Sequence, residues 1–167
     1  SMRIASRVNK PCREIMQKLM ELTGNICIFQ GEELGLQETE VQFKDLQDPF
    51  GKNFWPEFKG RDGCRTPMPW TNTLNGEFSI QKPWLPLDDN HLEQCVSSQE
   101  SDKSSILNAY REFLTWRKNY PALVVGTIEF LVTQEPILAF WRQTDEQKVL
   151  CCFNLSAQTA ELEITET

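Results

Sequence analysis

The chain has 167 residues, of which 40% are hydrophobic, 10% are aromatic and 25% are charged. This is the composition of a globular protein rather than a disordered one. The 17 Lys and Arg and 24 Asp and Glu give a net charge of −7. That charge argues against a nucleic-acid partner, because proteins that bind the phosphate backbone present a basic surface.

Targeting signals and metal motifs are absent from the sequence. No apolar run approaches the roughly 18 residues needed to cross a bilayer, and the N-terminus lacks the pattern of a secretory signal. We therefore expect a cytoplasmic protein without membrane contact. The six cysteines are scattered without a CxxC pair, and His91 is the single histidine. This pattern predicts reduced thiols, no metal site and no cofactor.

The first predicted elements are a helix and a strand. Residues 11–23 begin with Pro11, repeat apolar residues at helical spacing and end before Gly24, which predicts a helix. The apolar run Ile26–Phe29 is bounded by glycines and predicts a short strand buried on both faces, as in parallel sheets covered by helices. A helix that leads directly into such a strand is half of an α/β unit.

A long irregular segment follows, from Gln30 to about Gln99, in which prolines and glycines are frequent. Loops of this length are uncommon inside compact domains. The segment therefore either contains short elements that its pattern does not reveal or is a large insertion that packs on something larger. Within it, GRDGCRTPMPW at residues 60–70 has no helical or strand period, and Pro67 and Pro69 donate no backbone hydrogen bond. We expect an ordered loop there.

Regular patterns return after Asp102, a candidate N-cap. Apolar residues along one face predict an amphipathic helix over residues 103–120, which Pro121 ends. The runs VVGTIEFLV, ILAFWRQ, KVLCCFNLS and TAELEIT then predict the strands of an antiparallel meander. The change of pattern predicts two domains, residues 1–122 and 123–167, and we expect both ends of the chain to be incomplete.

Three stretches carry a resemblance to a known family. They are RIASRV at residues 3–8, FQGEELGL at 29–36 and GRDGCRTPMPW at 60–70. In this order they closely resemble the C-terminal part of α-glucosidases of the α-amylase superfamily, including the oligo-1,6-glucosidase group. The resemblance continues through PWLPL at 83–87 and the later helix and strands, so it covers nearly the whole chain.

The resemblance implies an α/β fold, namely the C-terminal piece of a (β/α)8 barrel followed by antiparallel strands of a C-terminal β-sandwich domain. Residues 11–23 would be the seventh barrel helix and Ile26–Phe29 the eighth strand. The irregular segment would be the eighth βα loop, and residues 103–120 would be the closing helix. Barrels of this kind carry their active site at the C-terminal ends of the strands. The long loop would therefore border a sugar site.

The implied chemistry is that of retaining glycosidases. One carboxylate attacks the anomeric carbon, a second protonates the leaving oxygen, and a third stabilises the distorted sugar. In the family the third lies in an Asn-His-Asp motif shortly before the arginine that Arg3 matches, where this chain has Ser1 and Met2. We therefore expect all three catalytic carboxylates to lie outside the chain, and we assign no catalytic residue within it.

The resemblance implies substrate contacts by two arginines. Arg61 matches the family arginine that pairs with an aspartate and hydrogen-bonds the terminal glucose, a task that suits the five donors of a guanidinium. Arg3 is expected at the edge of the pocket. Four loop residues are expected to hold the loop rather than touch sugar, because an ordered loop must satisfy its own backbone groups. These are Glu32, Glu33, Asp62 and Arg65.

Aromatic and histidine side chains in the loop have simpler expected roles. Trp55, Trp70 and Trp84 can stack on sugar rings, but tryptophans in such loops more often simply bury area. His91 lies in a polar stretch and is expected at the surface.

The hypothesis is a C-terminal portion of an α-glucosidase that acts on short α-linked gluco-oligosaccharides. The chain would supply part of the substrate-binding wall and be inactive alone. The alternatives are a non-catalytic relative, such as the α-glucosidase-like heavy chains of amino-acid transporters, and a stand-alone interaction module. These residues do not determine a preference for α-1,4 or α-1,6 linkages. Without the N-terminal part of the barrel, Ile26–Phe29 would keep open edges, so we also expect self-association.

Overall fold

The structure, a computed structural model, describes residues 26–162. The predicted helix at 11–23, Arg3 and the end of the last predicted strand lie outside these residues. The described residues divide into two compact units, the first spanning Cys27–Glu112 and the second beginning at Phe113. The predicted domain boundary at residue 122 stays a prediction.

The long irregular segment contains short helices that no periodic pattern in the sequence predicts. Its α-helices are α1 (Pro49–Asn53), α2 (Asp89–Glu93) and α3 (Val96–Ser101). Single 3₁₀ turns form at Phe43–Asp45 and Asp62–Cys64. The segment therefore contains the short elements of the first alternative, and its packing on something larger stays a prediction.

The structure corrects the prediction for Ile26–Phe29, since these residues belong to no strand of the described sheet. A strand exists only through hydrogen bonds to a neighbouring strand, and the described sheet is built from other residues. A hydrogen-bonded turn follows instead, in which the Leu36 N–H donates to the Gly31 carbonyl at 2.9 Å.

Two small apolar clusters form the core of the first unit. Leu34, Leu36 and Leu107 form one of them. Gln99 links two members of this cluster. The Gln99 side-chain amide donates to the Leu34 carbonyl at 2.9 Å, and the Gln99 side-chain oxygen accepts from the Leu107 N–H at 3.0 Å. The second cluster is formed by residues of the irregular segment itself, Val41, Leu46 and Leu85, with Trp55 packed against it. Trp55 thus buries area, as expected for a loop tryptophan. The same expectation is wrong for Trp70 and Trp84, which are 49% and 72% exposed.

The predicted amphipathic helix is present as α4 (Ile106–Lys118). Its N-terminal cap is Ser105, whose hydroxyl accepts from the Asn108 N–H at 3.2 Å. Asp102, the predicted cap, instead closes the preceding turn by accepting from the Ser104 N–H at 2.8 Å. Ser105 rather than Asp102 is the cap because a cap directly precedes the first helical residue and accepts from the second or third residue of the helix.

The second unit contains the predicted meander. Strands β1 (Thr127–Phe130), β2 (Ile137–Gln143) and β3 (Lys148–Asn154) form one antiparallel sheet in the order β1-β2-β3. Phe140 and Cys151 are opposite each other in the register, and both pack with Leu123 in the core of this unit.

Two details of the predicted strands differ. Val124 and Val125 end a helix, α5 (Pro121–Val125), because Pro121 starts a new helical turn and Leu123 is fully buried. Residues 159–162, the described part of the last predicted strand, are in no strand. Buried Arg142, in β2, links the sheet to the residue after α5 by donating to the Gly126 carbonyl at 2.9 Å.

Candidate functional site

The segment 60–70 is held firmly at its centre. The residues of the turn Asp62–Cys64 are buried. The Thr39 N–H donates to the Gly63 carbonyl at 3.0 Å, and a side chain at Gly63 would place its Cβ only 2.4 Å from the Thr39 carbonyl oxygen. Only glycine permits this approach. The segment is the ordered loop that its sequence predicts.

Asp62 joins two parts of the loop. Its carboxylate is fully buried and accepts from the backbone N–H groups of Gln47, at 2.6 Å, and Asp48, at 2.8 Å. Arg65 donates to its other oxygen at 2.7 Å. These contacts support the predicted role of Asp62 and Arg65 in holding the loop, which itself stays a prediction.

Asp48 was not among the residues predicted for the site. Its side chain is 6% exposed and accepts from the Phe50 N–H, at 3.0 Å, which makes it the N-cap of α1. Its second oxygen accepts from the Arg61 N–H at 3.0 Å and from Arg65 at 3.3 Å. The Asp-Pro pair at 48–49 is a recognisable helix start, but nothing in the sequence connects it to Arg61.

Arg61 lies at the surface of this cluster. Its side chain is 60% exposed, and its Nε is 3.7 Å from Asp48 Oδ2, the same oxygen that accepts from the Arg61 N–H. The guanidinium therefore lies beside a buried carboxylate, while the side chain as a whole is largely exposed. The structure thus brings three of the predicted residues together, Arg61, Asp62 and Arg65, and adds Asp48.

The charges around Asp48 favour its ionised form. Burial alone would raise the pKa of Asp48, but the Arg61 and Phe50 backbone N–H groups and the charges of Arg65 and Arg61 together lower this pKa below the usual aspartate value. Asp48 is therefore a carboxylate at neutral pH.

We expect this lowered pKa to be visible in the pH dependence of stability. A carboxyl group with a depressed folded-state pKa stabilises the fold above its unfolded-state pKa, near 3.9, and loses that contribution as the pH falls through the folded-state value. Urea unfolding of the wild type and Asp48→Asn should thus differ most near pH 7, and the difference should shrink below about pH 4. A difference that stays constant down to pH 2 would contradict this assignment.

Glu32 and Glu33 both bind backbone N–H groups close to them in the sequence. Glu32 accepts from the Phe29 N–H at 3.0 Å, and Glu33 accepts from the Gly31 N–H at 2.8 Å. Both contacts lie within the turn that follows Phe29. They support the predicted role of the two residues in holding the loop, which stays a prediction.

A small pocket of about 160 Å³ lies beside the segment, and its lining includes Gln30, Arg65, Thr66 and Trp84. Thr66 is fully buried, and its hydroxyl has no hydrogen-bond partner within the described part of the chain. The pocket is smaller than the 300–1,000 Å³ that is usual for ligand sites. We therefore assign it no ligand.

The prediction for His91 is wrong. Its side chain is 3% exposed rather than at the surface, and its Nε2 lies 2.9 Å from the Gln37 carbonyl oxygen. The polar neighbours of His91 in sequence suggested exposure, but the tertiary fold places the ring against a backbone carbonyl 54 residues away.

The remaining chemistry of the described residues is limited. None of the five cysteines within 26–162 is in a disulfide, and the same residues contain no cluster of His, Cys, Asp and Glu that could hold a metal ion. No helix in this part of the chain is long and apolar enough to cross a bilayer.

Residues 1–126 match the family model of the α-amylase catalytic domain. The chain belongs to the α-amylase family. Residues 128–167 match the C-terminal domain of maltogenic amylase. The resemblance noted from the sequence is thereby confirmed, as is the predicted fold class, the C-terminal part of a catalytic domain followed by antiparallel strands of a C-terminal domain.

Individual relatives agree with this family. A probable alpha-glucosidase of Rhizobium meliloti (strain 1021) is 51% identical over 87% of this chain and 26% of the relative. An oligo-1,6-glucosidase of Parageobacillus thermoglucosidasius is 28% identical over 83% of this chain and 28% of the relative. The crystal structure of an alpha-glucosyl transfer enzyme, XgtA, superimposes with a TM-score of 0.90 and 54% identity, over 93% of this chain and 29% of that one. The chain thus spans between 26% and 29% of the length of these α-amylase family relatives.

Proposed function

We propose that this chain is part of an α-glucosidase that removes terminal glucose from short α-linked gluco-oligosaccharides with retention of configuration. In this proposal the chain forms part of the wall that holds the terminal glucose. The observation that carries it is Arg61, whose backbone is hydrogen-bonded to buried Asp48 while its side chain is 60% exposed. The probable alpha-glucosidase that is 51% identical supports the same activity.

The guanidinium of Arg61 suits the recognition of a sugar. It presents several N–H donors in one plane, and neighbouring hydroxyls of a hexose can accept from two of them together. A fixed backbone lowers the conformational entropy that is lost when a ligand is bound. Such a contact needs both an anchored backbone and an exposed side chain.

The described carboxylates of the site do not suit catalysis. Asp48 and Asp62 both bind Arg65 and are near each other, as the two carboxylates of a retaining glycosidase must be. However, both are buried among backbone N–H groups and arginine. In addition, the lowered pKa of Asp48 is the opposite of what a general acid needs. We therefore propose that the catalytic carboxylates belong to the complete enzyme outside residues 1–167.

A second candidate reaction is glucosyl transfer to a sugar acceptor. The relative that is 54% identical and superimposes with a TM-score of 0.90 is described as an alpha-glucosyl transfer enzyme. Both reactions pass through the same glucosyl-enzyme, which reacts either with water or with a sugar hydroxyl. Product analysis with maltose separates them, because hydrolysis releases only glucose and transfer also forms longer oligosaccharides.

A comparison of the complete protein with the isolated chain tests the proposal. We expect the complete protein to release glucose from maltose, isomaltose or a nitrophenyl α-glucoside, and the isolated chain to release none. Binding of sugar by the complete protein without turnover would favour the non-catalytic alternative. Turnover by the isolated chain that is lost in Asp62→Asn or Glu32→Gln would contradict the assignment of all catalytic carboxylates to other parts of the enzyme.

A further inference from the structure

Asp48 contacts Arg61 in two ways, and this double contact has a consequence for substrate binding. We propose that Asp48 is the positioning residue for Arg61, so that Asp48 sets the direction in which the guanidinium meets the terminal glucose. The inference rests on the proposed function. It adds a residue that acts on the sugar only through Arg61.

A single oxygen of Asp48 holds both the main chain and the side chain of Arg61. Oδ2 accepts from the Arg61 backbone N–H at 3.0 Å and lies 3.7 Å from Arg61 Nε. At 3.7 Å this second contact is an ion pair rather than a hydrogen bond, and it draws the Nε edge of the planar guanidinium toward Asp48. The Nη groups are then the donors that remain for a ligand.

Asp48 can act in this way because it is itself held on several sides. Its backbone N–H donates to Asp62 at 2.8 Å, and its Oδ1 accepts from the Phe50 N–H at 3.0 Å. Gly60, immediately before Arg61, has a φ of +77° and lies so close that a Cβ there would be 2.9 Å from Asp48 Oδ2. The chain thus brings Arg61 to Asp48 through a conformation that only glycine adopts readily.

Arg65 supports the arrangement by sharing the same carboxylate. It donates to Asp48 at 3.3 Å and to Asp62 at 2.7 Å, so it partly neutralises both buried charges. Arg65 makes the direct side-chain hydrogen bond to Asp48, and the contact of the Arg61 side chain with this carboxylate is the longer ion pair. The Arg61 side chain, 60% exposed, stays accessible to a ligand.

A double-mutant cycle in the complete enzyme separates positioning from general stabilisation. We expect Asp48→Asn to lower kcat/KM for maltose about tenfold, the effect of misaligning one charge-assisted hydrogen bond. In an Arg61→Ala background the same substitution should change kcat/KM by less than about twofold, because Asp48 would have nothing left to position. Asp48→Asn should also change the same parameter, kcat or KM, that Arg61→Ala changes.

A matched control is Asp88→Asn. Asp88 caps α2 as Asp48 caps α1, by accepting from the Asn90 N–H at 3.0 Å, but no arginine is paired with it among the described residues. Its substitution should leave kcat/KM unchanged in both backgrounds. Asp48→Ser keeps an N-cap oxygen and serves as the second variant if Asp48→Asn fails to fold.

Each outcome of the cycle has one meaning. If Asp48→Asn lowers kcat/KM equally with and without Arg61, the positioning role is overturned. The role is also overturned if neither Asp48 variant folds, because Asp48 would then serve the fold itself. If instead Arg61→Ala leaves kcat/KM unchanged, the substrate contact in the proposed function fails, and the positioning role fails with it. A loss in Arg61→Ala together with a non-additive cycle supports both.

Discussion

Arg61→Lys in the complete enzyme is expected to lower kcat/KM for maltose by about one to three powers of ten. Lysine keeps the positive charge but replaces a planar fork of donors by a single flexible ammonium. It also loses the Nε that lies 3.7 Å from Asp48. Steady-state kinetics with maltose measure the effect.

The control for this substitution is Arg111→Lys. Arg111 has a side chain that is 54% exposed and pairs with Glu100 on the surface, so the same chemical change occurs at similar exposure. We expect its kinetics to equal those of the wild type. Unaltered kinetics in Arg61→Lys would remove Arg61 from the substrate site.

Asp62→Ala is expected to cause a large loss of stability, about 2–4 kcal/mol, because it removes a fully buried acceptor from two backbone donors. The substitution leaves the Gln47 and Asp48 N–H groups without an acceptor and takes from Arg65 its closest partner. Unsatisfied buried donors cost more than the hydrogen bonds themselves contribute. Asp48 and Arg61 would lose their support at the same time.

Urea unfolding followed by tryptophan fluorescence measures this loss, and hydrogen exchange locates it. Exchange should accelerate at Gln47 and Asp48, whose amides donate to Asp62. Glu100→Ala, which breaks the exposed pair with Arg111, is the control and should cost at most about 1 kcal/mol. An Asp62→Ala variant as stable as this control would show that the buried Asp62 carboxylate does not hold the loop.

Elements with a regular pattern could be predicted from the sequence. Helix α4 could be predicted because its apolar side chains recur at helical spacing. The three strands could be predicted because β-rich runs alternate with short polar connections. Val124 and Val125 show the limit of such patterns. Their β-branched side chains favour a strand, but the helical turn that begins at Pro121 and buries Leu123 includes them.

The candidate site could be predicted only in part. The resemblance of GRDGCRTPMPW to α-glucosidases led to Arg61, Asp62 and Arg65. It did not lead to Asp48, which lies 13 residues before Arg61 in a segment without a period. No rule of local spacing connects two residues across an irregular loop.

The sequence by itself determined the family, the order of the two domains, the helix α4 and the meander, because motifs and periodic patterns are local properties of the chain. Only the tertiary structure decided which donors surround each buried carboxylate and on which side Arg61 is exposed. It also decided that His91 is buried against the Gln37 carbonyl. The physical reason is the same in each case. In an irregular loop the partner of a buried polar group is whichever distant segment the fold brings within about 3 Å, and that proximity depends on the packing of the whole unit.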